Sequence, residues 1–501
     1  MNFTNLFDEA RRHERAEISA KQIDGQDRSI SFPAFVAEVD VLAQKLQTSG
    51  VARGMQIALQ APNCYEYLLW DLAALKLGAV IHAVPEDLPA EKVAAIARKH
   101  AIALWVYEKP ENVAGIGNAV ALAETAAARE FPVDRDAARL ADADLHSRVY
   151  SSGSSGYLKG LEISRRGTEL LVSDFIDAFG LCSADSHLIF LPLSNYQQRL
   201  SVYGCLWAGA SIKVVRHTTV FQELGRYAPS FIIAPPAIYE TVYNLYGRGA
   251  DAKQKLAAFL GGNIRFMITG MAPIRKEVLK AFNALGYLLL EAYGVTETGM
   301  IAWNTKERHR IGAVGMPIHP EHVHFTAESE IVIKRPFPLS KCYFDSAESD
   351  SANTFLPDGS IATGDIGVLD ADGFLSLSGR KKEIIVTSGG AKFHPEELER
   401  ALSSVAPVKH SIVLMSKNDS RLVAVIVADG HEDPVVIGQI DESIRAMNAS
   451  APSYKNIHRR IVTATAPSIE NGMLTRNLKY DRKGIYRYFE AEIEAREASL
   501  A

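Results

Sequence analysis

The chain has 501 residues, of which 47% are hydrophobic and 23% charged, and its formal net charge is −5. This composition supplies a sizeable hydrophobic core and excludes a disordered or collagen-like chain. With 54 basic against 59 acidic residues, no strongly basic face is expected, so nucleic acid is a poor default partner. The four scattered cysteines indicate neither a zinc site nor a disulfide framework.

The N-terminal segment lacks a signal-peptide pattern, and no stretch approaches the roughly 18 apolar residues of a membrane span. We therefore expect a cytoplasmic protein that does not cross a membrane.

In chain order, the region before residue 300 alternates short apolar runs with amphipathic segments. The alternation appears first in the segment from MQIALQAP to LWVY. It recurs from about residue 185 to 295, where the predicted strands are LIFLPL, SIKVVR, FIIAPP, IRFMITG and YLLLEAYG. Segments such as AIYETVYNLYGRGA and IRKEVLKAFNALG predict the intervening helices. The pattern predicts an α/β fold with linked layers of parallel sheet covered by helices.

After residue 300 the pattern becomes β-rich, with EIVIKR, IGVLDADGFLSLSG and EIIVTSGG as short strands joined by tight turns. From about residue 383 a smaller α+β unit follows: a helix opened by Pro395, an antiparallel strand pair, another helix and a further strand. We expect a large N-terminal domain over residues 1–380, including the β-rich subdomain, and a small C-terminal domain over residues 381–501.

The segment from Tyr150 to Gly160, YSSGSSGYLKG, concentrates glycine and serine beside one lysine. Small residues let the backbone approach an anion, serine hydroxyls donate hydrogen bonds, and Lys159 adds a positive charge. This chemistry suits a loop that binds phosphates, although the spacing is not that of the P-loop. The same composition is also typical of a flexible linker.

The segment EAYGVTETG, residues 291–299, follows a predicted strand, where ligands bind in open α/β sheets. It offers the ring of Tyr293, the hydroxyl of Thr296 and the carboxylate of Glu297, and a carboxylate suits a hard cation such as Mg²⁺. A polar turn with a solvated glutamate explains the segment equally well.

Two further segments carry charged groups between glycines. In residues 364–390, the carboxylate of Asp365 can accept hydrogen bonds from ribose hydroxyls, and Arg380 lies in a second turn. Near the C-terminus, NGMLTRNLKYDRKGI, residues 471–485, contains four basic side chains. A β-meander with surface charges and a solvated basic face are the alternative explanations.

Together and in this order, the motifs resemble those of the adenylate-forming (ANL) superfamily, and they are closest to its acyl-CoA synthetases, the fatty acid–CoA ligases. YSSGSSGYLKG resembles the phosphate loop of that superfamily, YGVTETG its Y-G-x-T-E motif, and ITGMAP, residues 268–273, its adenine loop. The GD…GR segment resembles its ribose and hinge motifs, and the region of Lys479 resembles its catalytic-lysine motif. The resemblance covers essentially the whole chain.

The resemblance implies an ATP site built from residues of several motifs. The phosphates would lie against Ser151, Ser152, Gly153, Ser154, Ser155, Gly156 and Lys159. The adenine would lie against Gly270, Ala272 and Tyr293, and the ribose would be bound by Asp365 with the help of Arg380.

The resemblance also implies the catalytic groups and a moving domain. Thr296 would contact the phosphate, Glu297 would hold Mg²⁺, and Lys479 would be the catalytic lysine. Lys382 would be the hinge about which a small, mobile C-terminal domain rotates between two reaction steps.

The implied reaction makes an acyl-adenylate from ATP and a carboxylic acid, releasing pyrophosphate, and then transfers the acyl group to a thiol. Mg²⁺ and a lysine ammonium would offset the charge on the anionic reactants.

Our leading expectation is an AMP-forming acyl-CoA synthetase, with CoA as the thiol. The alternative is a stand-alone ligase that loads the pantetheine of an acyl carrier protein. A catalytically inactive homologue is the third possibility, and the joint presence of Lys479, Glu297, Asp365 and Arg380 argues against it.

The segment from Pro192 to Gly209, PLSNYQQRLSVYGCLWAG, contains no acidic residue. A pocket for amino acids has to pair an ammonium group, because burying it alone costs several kcal/mol. We therefore expect a hydrophobic acid without an α-amine, and we assign Asn195, Tyr203 and Trp207 to its pocket.

Overall fold

The computed structural model describes residues 1–125, 130–134, 144–152, 158–345, 348–386, 392–468, 470–474 and 480–495. The first half of the N-terminal region contains α1 (Leu6–Arg12), β1 (Glu17–Lys21), β2 (Asp27–Ser31), α2 (Phe32–Ser49), β3 (Gln56–Gln60), α3 (Tyr65–Leu77), β4 (Val80–Val84), α4 (Ala90–Lys99), β5 (Ile102–Tyr107), β6 (Ala119–Ala121), β7 (Leu145–Ser152) and β8 (Leu158–Ser164).

The next stretch of chain alternates helices with strands. It contains α5 (Arg165–Phe179), β9 (Ser186–Ile189), α6 (Tyr196–Ala208), β10 (Ser211–Val214), α7 (Val220–Tyr227), β11 (Phe231–Ala234), α8 (Pro236–Tyr246), α9 (Ala252–Leu260), β12 (Phe266–Thr269), α10 (Lys276–Ala284), β13 (Leu289–Val295), β14 (Gly299–Trp303) and β15 (Met316–Pro317).

A β-rich stretch and a smaller α+β stretch complete the chain. They contain β16 (Val323–Phe325), β17 (Glu330–Ile333), β18 (Tyr343–Asp345), α11 (Glu348–Thr354), β19 (Ile361–Leu369), β20 (Leu375–Arg380), β21 (Ile385–Val386), β22 (Lys392–Phe393), α12 (Pro395–Ser403), β23 (Val408–Met415), β24 (Leu422–Ala428), α13 (Pro434–Ser450), β25 (Ile457–Thr463), α14 (Arg482–Tyr488) and α15 (Glu490–Glu494).

Two large sheets dominate the described part of the chain. One has the strand order β18-β8-β7-β4-β3-β5-β6, and the other has the order β15-β14-β13-β12-β11-β9-β10-β1-β2. Their central strands are parallel, whereas β8 and β18 in the first sheet and β2, β14 and β15 in the second are antiparallel additions at the edges.

The largest hydrophobic core lies between the two sheets and the helices that connect them. It contains residues of α2, α3, α5 and α6 together with residues from the strands of both sheets. Local signals fix the ends of these helices: the hydroxyl of Ser164 accepts the N–H of Gly167 at the start of α5, and Gly209 ends α6 at φ 76°.

The β-rich region forms an antiparallel sheet in the order β16-β17-β19-β20. The last stretch forms the sheet β23-β24-β25, in which the first pair is antiparallel, as predicted, and the second is parallel. Its hydrophobic side chains pack into clusters of their own, separate from the main core. The α/β class, with linked parallel layers, a β-rich region and a small α+β unit, is confirmed.

Candidate active site

The segments after β12 and β13 meet because these strands are parallel neighbours, with Thr269 opposite Glu291. A side chain on Gly270 would place its Cβ 2.9 Å from the carbonyl oxygen of Ala292, so the backbone can approach β13 closely only because this residue is glycine. The next residue, Met271, has the left-handed φ of 73°, which is rare for a non-glycine residue. The loop that contains Gly270 and Ala272 is thereby held beside Tyr293.

Tyr293, Asp365 and Arg380, predicted from two different motifs, are in contact. The Tyr293 hydroxyl donates to Asp365 Oδ2 at 2.8 Å, and Arg380 Nε lies 3.0 Å from Asp365 Oδ1. Pairing of β19 with β20 sets Asp365 opposite Arg380, and a register shift between Ile366 and Gly367 follows directly.

Burial controls the charge state of this group. It raises the pKa of Tyr293, so the phenol stays protonated and acts as a donor. Burial is the largest single effect on the pKa of Arg380 and lowers it, but Asp365, Glu383 and the other negative groups nearby together outweigh burial, so the pKa is raised. The site therefore presents a carboxylate held by a neutral donor and a permanent cation.

A second group joins the phosphate-loop motif to the Y-G-x-T-E motif. The hydroxyl of Tyr343 donates to Glu297 Oε1 at 2.5 Å, and the ammonium of Lys159 lies 5.1 Å from the centre of the Tyr343 ring. Glu297 also adds to the electrostatic field at Arg380, so the two groups are neighbours. Thr296 is exposed in the turn between β13 and β14.

Part of the predicted site lies outside the described residues, namely Gly153, Ser154, Ser155, Gly156 and Lys479. Ser151 and Ser152 are the last two residues of β7, where they pair with Lys159 and Leu158 of β8. Lys159 lies on β8 and Tyr343 on β18, and these strands pair at the edge of the first sheet, so the two residues are brought together there.

Lys382, the predicted hinge, lies in a short 3₁₀ turn between two ion pairs that reach different parts of the chain. Lys381 Nζ lies 2.6 Å from Glu330 Oε2, on strand β17 of the β-rich sheet. Glu383 Oε2 lies 3.1 Å from Nε of Arg482, at the start of α14.

An apolar cavity lies between α5, α6 and the second sheet. It is lined by Leu171, Val172, Phe175, Gln197, Leu200, Ser201, Ile233, Ile268, Ala292, Met300 and Trp303. No charged side chain appears among these described lining residues. Ala292 borders the cavity, and Tyr293, the next residue of β13, reaches Asp365.

The three residues predicted for the acid pocket do not line this cavity. Tyr203 is fully buried in the main core and donates its hydroxyl to Asp71 Oδ2 at 3.2 Å. Asn195 caps α6, its side chain accepting the N–H of Gln197 at 3.4 Å, and Trp207 packs at the edge of the main core. The physical reason is that α6 is buried on most sides, so only Gln197, Leu200 and Ser201 face the cavity.

An acidic residue does lie beside α6, although the segment itself contains none. Asp71 of α3 forms an ion pair with Arg199, and both side chains are almost completely buried. Arg199 Nη1 also donates to the hydroxyl of Ser147 at 2.6 Å. This carboxylate is paired with arginine, and Asp71 is not among the residues that line the apolar cavity.

Sequence reasoning also missed Tyr343, which bridges Lys159 and Glu297. No motif surrounds it, and its contacts span 46 residues to Glu297. The only local signal is the aromatic pair YF in an otherwise polar segment, which indicates a short strand but no function.

Comparison with known proteins identifies the family. Residues 6–332 match the AMP-binding enzyme family, and residues 382–499 match the AMP-binding enzyme C-terminal domain. The long-chain-fatty-acid–CoA ligase FadD15 of Mycobacterium bovis is 24% identical, over 96% of this chain and 95% of its own length. The 2-succinylbenzoate–CoA ligase of Listeria monocytogenes is 25% identical, over 93% of this chain and 98% of its own length.

A solved structure has the same fold. ATP-bound MatB from Rhodopseudomonas palustris superposes with a TM-score of 0.79 at 20% identity, covering 98% of this chain and all of its own. Within the described residues, no helix combines the length and the apolar composition needed to cross a membrane. The chain belongs to the AMP-binding enzyme family of the adenylate-forming superfamily and is an AMP-forming acid–thiol ligase of the acyl-CoA synthetase type.

Proposed function

We propose that the enzyme activates a hydrophobic carboxylic acid with ATP and transfers the acyl group to CoA. The observation that carries the proposal is the apolar cavity at Ala292, one residue away from Tyr293 and its partners Asp365 and Arg380. An acid whose chain fills this cavity would bring its carboxylate to the nucleotide side of the same strand. Holding two anionic reactants in this way removes much of the entropic barrier to their reaction.

In the proposed complex, the residues around Asp365 bind the nucleoside. Asp365 accepts the ribose hydroxyls while Arg380 and Tyr293 hold its carboxylate in place. The adenine lies between Tyr293 and the loop of Gly270 and Ala272, which the close approach of Gly270 to Ala292 holds beside β13.

The phosphates would meet Lys159 and the glycine- and serine-rich segment 151–156, and Thr296 would contact them from the turn between β13 and β14. Mg²⁺ fits beside Glu297, because a half-buried carboxylate held by the Tyr343 hydroxyl offers the hard oxygen ligand that this ion prefers. When bound, the ion would neutralise charge on the phosphate oxygens.

The cavity lining supports an acid without an α-amine. Each methylene buried there contributes about 0.8 kcal/mol, whereas an ammonium would lie among apolar side chains with no carboxylate among the described lining residues to pair it. Asp71 does not supply that partner, since Arg199 already occupies it.

The test is pyrophosphate release with a panel of fatty, aryl and amino acids, followed by acyl transfer to CoA or to a carrier protein. We expect release with hydrophobic acids, none with amino acids, and transfer to CoA. Release with an amino acid alone would contradict the substrate proposal. Transfer to carrier-protein pantetheine and not to CoA would support the carrier-loading ligase and contradict CoA as the acceptor. The cytoplasmic location stays a prediction.

Lys479 is proposed as the cation that stabilises the reacting phosphate. Lys479→Ala should lower acyl-adenylate formation by about 10²–10³, because one preformed electrostatic contact to the transition state is lost. Thioester formation from preformed acyl-adenylate should largely persist, as measured by thiol consumption.

Lys483→Ala is the matched control for this substitution, since Lys483 is an exposed lysine four residues further on. Near-normal pyrophosphate exchange in Lys479→Ala together with a loss in Lys483→Ala would move the role to Lys483.

We also propose that residues 1–380 and 381–501 move as two domains about Lys382. The ion pairs on either side of Lys382 support a hinge at this residue, because Lys381 pairs with Glu330 of β17 and Glu383 pairs with Arg482 of α14. The separate hydrophobic clusters of the last sheet give the C-terminal unit a core of its own.

A further inference from the structure

A cluster of metal-ligating side chains lies outside the proposed active site, where the segment after β15 packs against α5. His319, Glu321 and His322 lie in and just before a 3₁₀ turn, and Asp174 of α5 faces them. One potential ligand atom from each of the first three lies within 4.8 Å of the others.

The separations of the two histidine nitrogens from the glutamate oxygen are close to those around a small metal ion. His319 Nδ1 lies 3.6 Å and His322 Nε2 lies 3.9 Å from Glu321 Oε1. Bonds of about 2.0–2.1 Å in tetrahedral geometry place neighbouring ligand atoms roughly 3.4 Å apart. Small side-chain adjustments would therefore complete the geometry.

Asp174 prepares His319 for this role. Its Oδ2 lies 3.0 Å from His319 Nε2, so the imidazole donates its Nε2–H to the carboxylate and turns the lone pair of Nδ1 toward Glu321. A carboxylate that holds the outer nitrogen of a histidine is the usual support for a histidine that binds a metal.

His322 is also available as a ligand. Its Nδ1 is buried and has no hydrogen-bond partner among the described residues, and Nε2 is beyond hydrogen-bonding distance of Glu321. A metal would thus displace no existing hydrogen bond of this ring.

The charges around the cluster favour a cation on balance. Asp174 and Glu321 contribute two carboxylates, whereas Arg335 opposes a cation but directs its guanidinium to the carbonyl groups of Thr298 and Met300.

We propose that His319, Glu321 and His322 bind a divalent transition-metal ion of the Zn²⁺ type, with Asp174 as the residue that orients His319. Two imidazoles and one carboxylate suit zinc better than magnesium or calcium, which prefer oxygen ligands alone. The ion would hold the turn after β15 in one conformation. The hydrogen bond between Asp174 and His319 would connect that turn to α5, the helix that supplies Leu171, Val172 and Phe175 to the apolar cavity.

The test is a competition titration in which the metal-free full-length enzyme removes Zn²⁺ from a chromophoric chelator. Wild type and His324→Ala should bind one ion per chain at the same affinity, since His324 is an exposed histidine outside the cluster. Asp174→Asn should weaken binding by about 10–100-fold, the usual effect of losing an outer partner. Zn²⁺ should raise the melting temperature of wild type and of His324→Ala.

The double variant His319→Ala/His322→Ala should lose this binding and the thermal shift. Glu321→Gln provides a second variant in case the double variant folds poorly, because the Glu321 side chain is 65% exposed and carries little packing. Wild-type affinity in both variants, or no stoichiometric binding by wild type, would overturn the proposal.

Discussion

Asp365 is the carboxylate around which the proposed nucleotide site is built, since it receives both the Tyr293 hydroxyl and the Arg380 guanidinium. Asp365→Asn keeps the size of the side chain but removes the charge that Arg380 pairs with and that ribose hydroxyls would donate to. Hydrogen bonds to charged groups contribute about 1.5–3 kcal/mol, so we expect ATP–pyrophosphate exchange to fall by about 10–100-fold. The loss should be measured at several ATP concentrations.

Asp372→Asn is the control for this substitution. Asp372 lies in the turn of the same β19–β20 hairpin, pairs with Arg310 and has a 72% exposed side chain. Equal exchange in both variants, whether lowered or normal, would contradict a specific role for Asp365 in binding the nucleotide.

At this scale, the motifs predicted residues that the fold brings together from distant points. Tyr293, Asp365, Arg380, Glu297 and Lys159 each stand in a recognisable segment, and the structure connects them in two adjacent groups. Tyr343 and Asp71 could not be predicted, because they act through partners far along the chain and have no motif around them. Their positions follow only from strand pairing and helix packing.

Among the elements, α5 and α6 contribute most of the helical lining of the apolar cavity in which we propose that the acid binds, and Leu200 of α6 is half-buried at its wall. Leu200→Trp should fill part of the cavity and shorten the longest acid that the enzyme accepts. Each methylene that can no longer be buried costs about 0.8 kcal/mol, or roughly fourfold in kcat/KM. The measurement is kcat/KM over a series of straight-chain acids.

Leu170→Trp is the matched substitution on α5, at a leucine that is 40% exposed and faces away from the cavity. It should leave the chain-length profile unchanged. If Leu200→Trp lowers kcat/KM equally for short and long acids, the cavity does not hold the acyl chain.

The assignment of Tyr203 and Trp207 to the acid pocket shows that a sequence pattern does not indicate which side of a buried helix faces a cavity. An amphipathic helix reveals its inner face through its polar side, but α6 is buried on most of its surface and has no such side. Its residues therefore indicate burial without telling which of them pack in the core and which line a cavity. The strands were easier to predict, because uninterrupted apolar runs such as FIIA form buried parallel strands.

Glu291, the first polar residue of β13, links pH to the stability of this sheet. Burial raises its pKa to about 7, although the N–H of Gly312 donates to Oε2 at 2.8 Å. The folded state thus holds a proton that the unfolded chain, with a glutamate pKa of about 4.3, has already lost. The stability that this proton contributes is complete at pH values below the glutamate pKa of the unfolded chain, and it is lost as the pH rises through about 7.

Glu291→Gln should remove this dependence, because the amide is neutral at every pH and still accepts the N–H of Gly312. The free energy of unfolding of the variant, from urea denaturation, should exceed that of wild type at pH 8 by about 1–3 kcal/mol and approach it at pH 4. Glu277→Gln, at an exposed glutamate of α10, should follow the wild-type curve. If the free energies of unfolding of wild type and Glu291→Gln differ by the same amount at all pH values, Glu291 does not hold an additional proton in the folded state.

Over the whole molecule, composition and alternation predicted the α/β class and its three regions, but not the strand order. The pairing of β1 with β10 and of β7 with β4 joins strands that are distant in sequence, and the pattern of each strand says nothing about its neighbour. The antiparallel edges formed by β2, β8 and β14 were likewise not distinguishable from the parallel strands.

The C-terminal unit is held together by a cluster of charges as well as by its core. Arg482 lies among three carboxylates, with Nη1 2.6 Å from Glu399 and Nη2 3.7 Å from Glu396, while Nε pairs with Glu383. Because Glu383 directly follows Lys382, any rotation at Lys382 carries this cluster with the smaller unit and leaves Lys381 with β17.

If the two proposed domains rotate about Lys382, its backbone is the place to block that rotation. Lys382→Pro should leave acyl-adenylate formation mostly intact and prevent thioester formation, because proline fixes φ near −65° and also restricts the preceding residue. The two half-reactions are measured separately, by pyrophosphate exchange and by the consumption of CoA with preformed acyl-adenylate.

Lys382→Ala is the control: it removes the ammonium but keeps the backbone free, so both half-reactions should continue. Loss of both half-reactions in Lys382→Pro, or of neither, would place the hinge at another residue, and a matching loss in Lys382→Ala would assign the effect to the side chain.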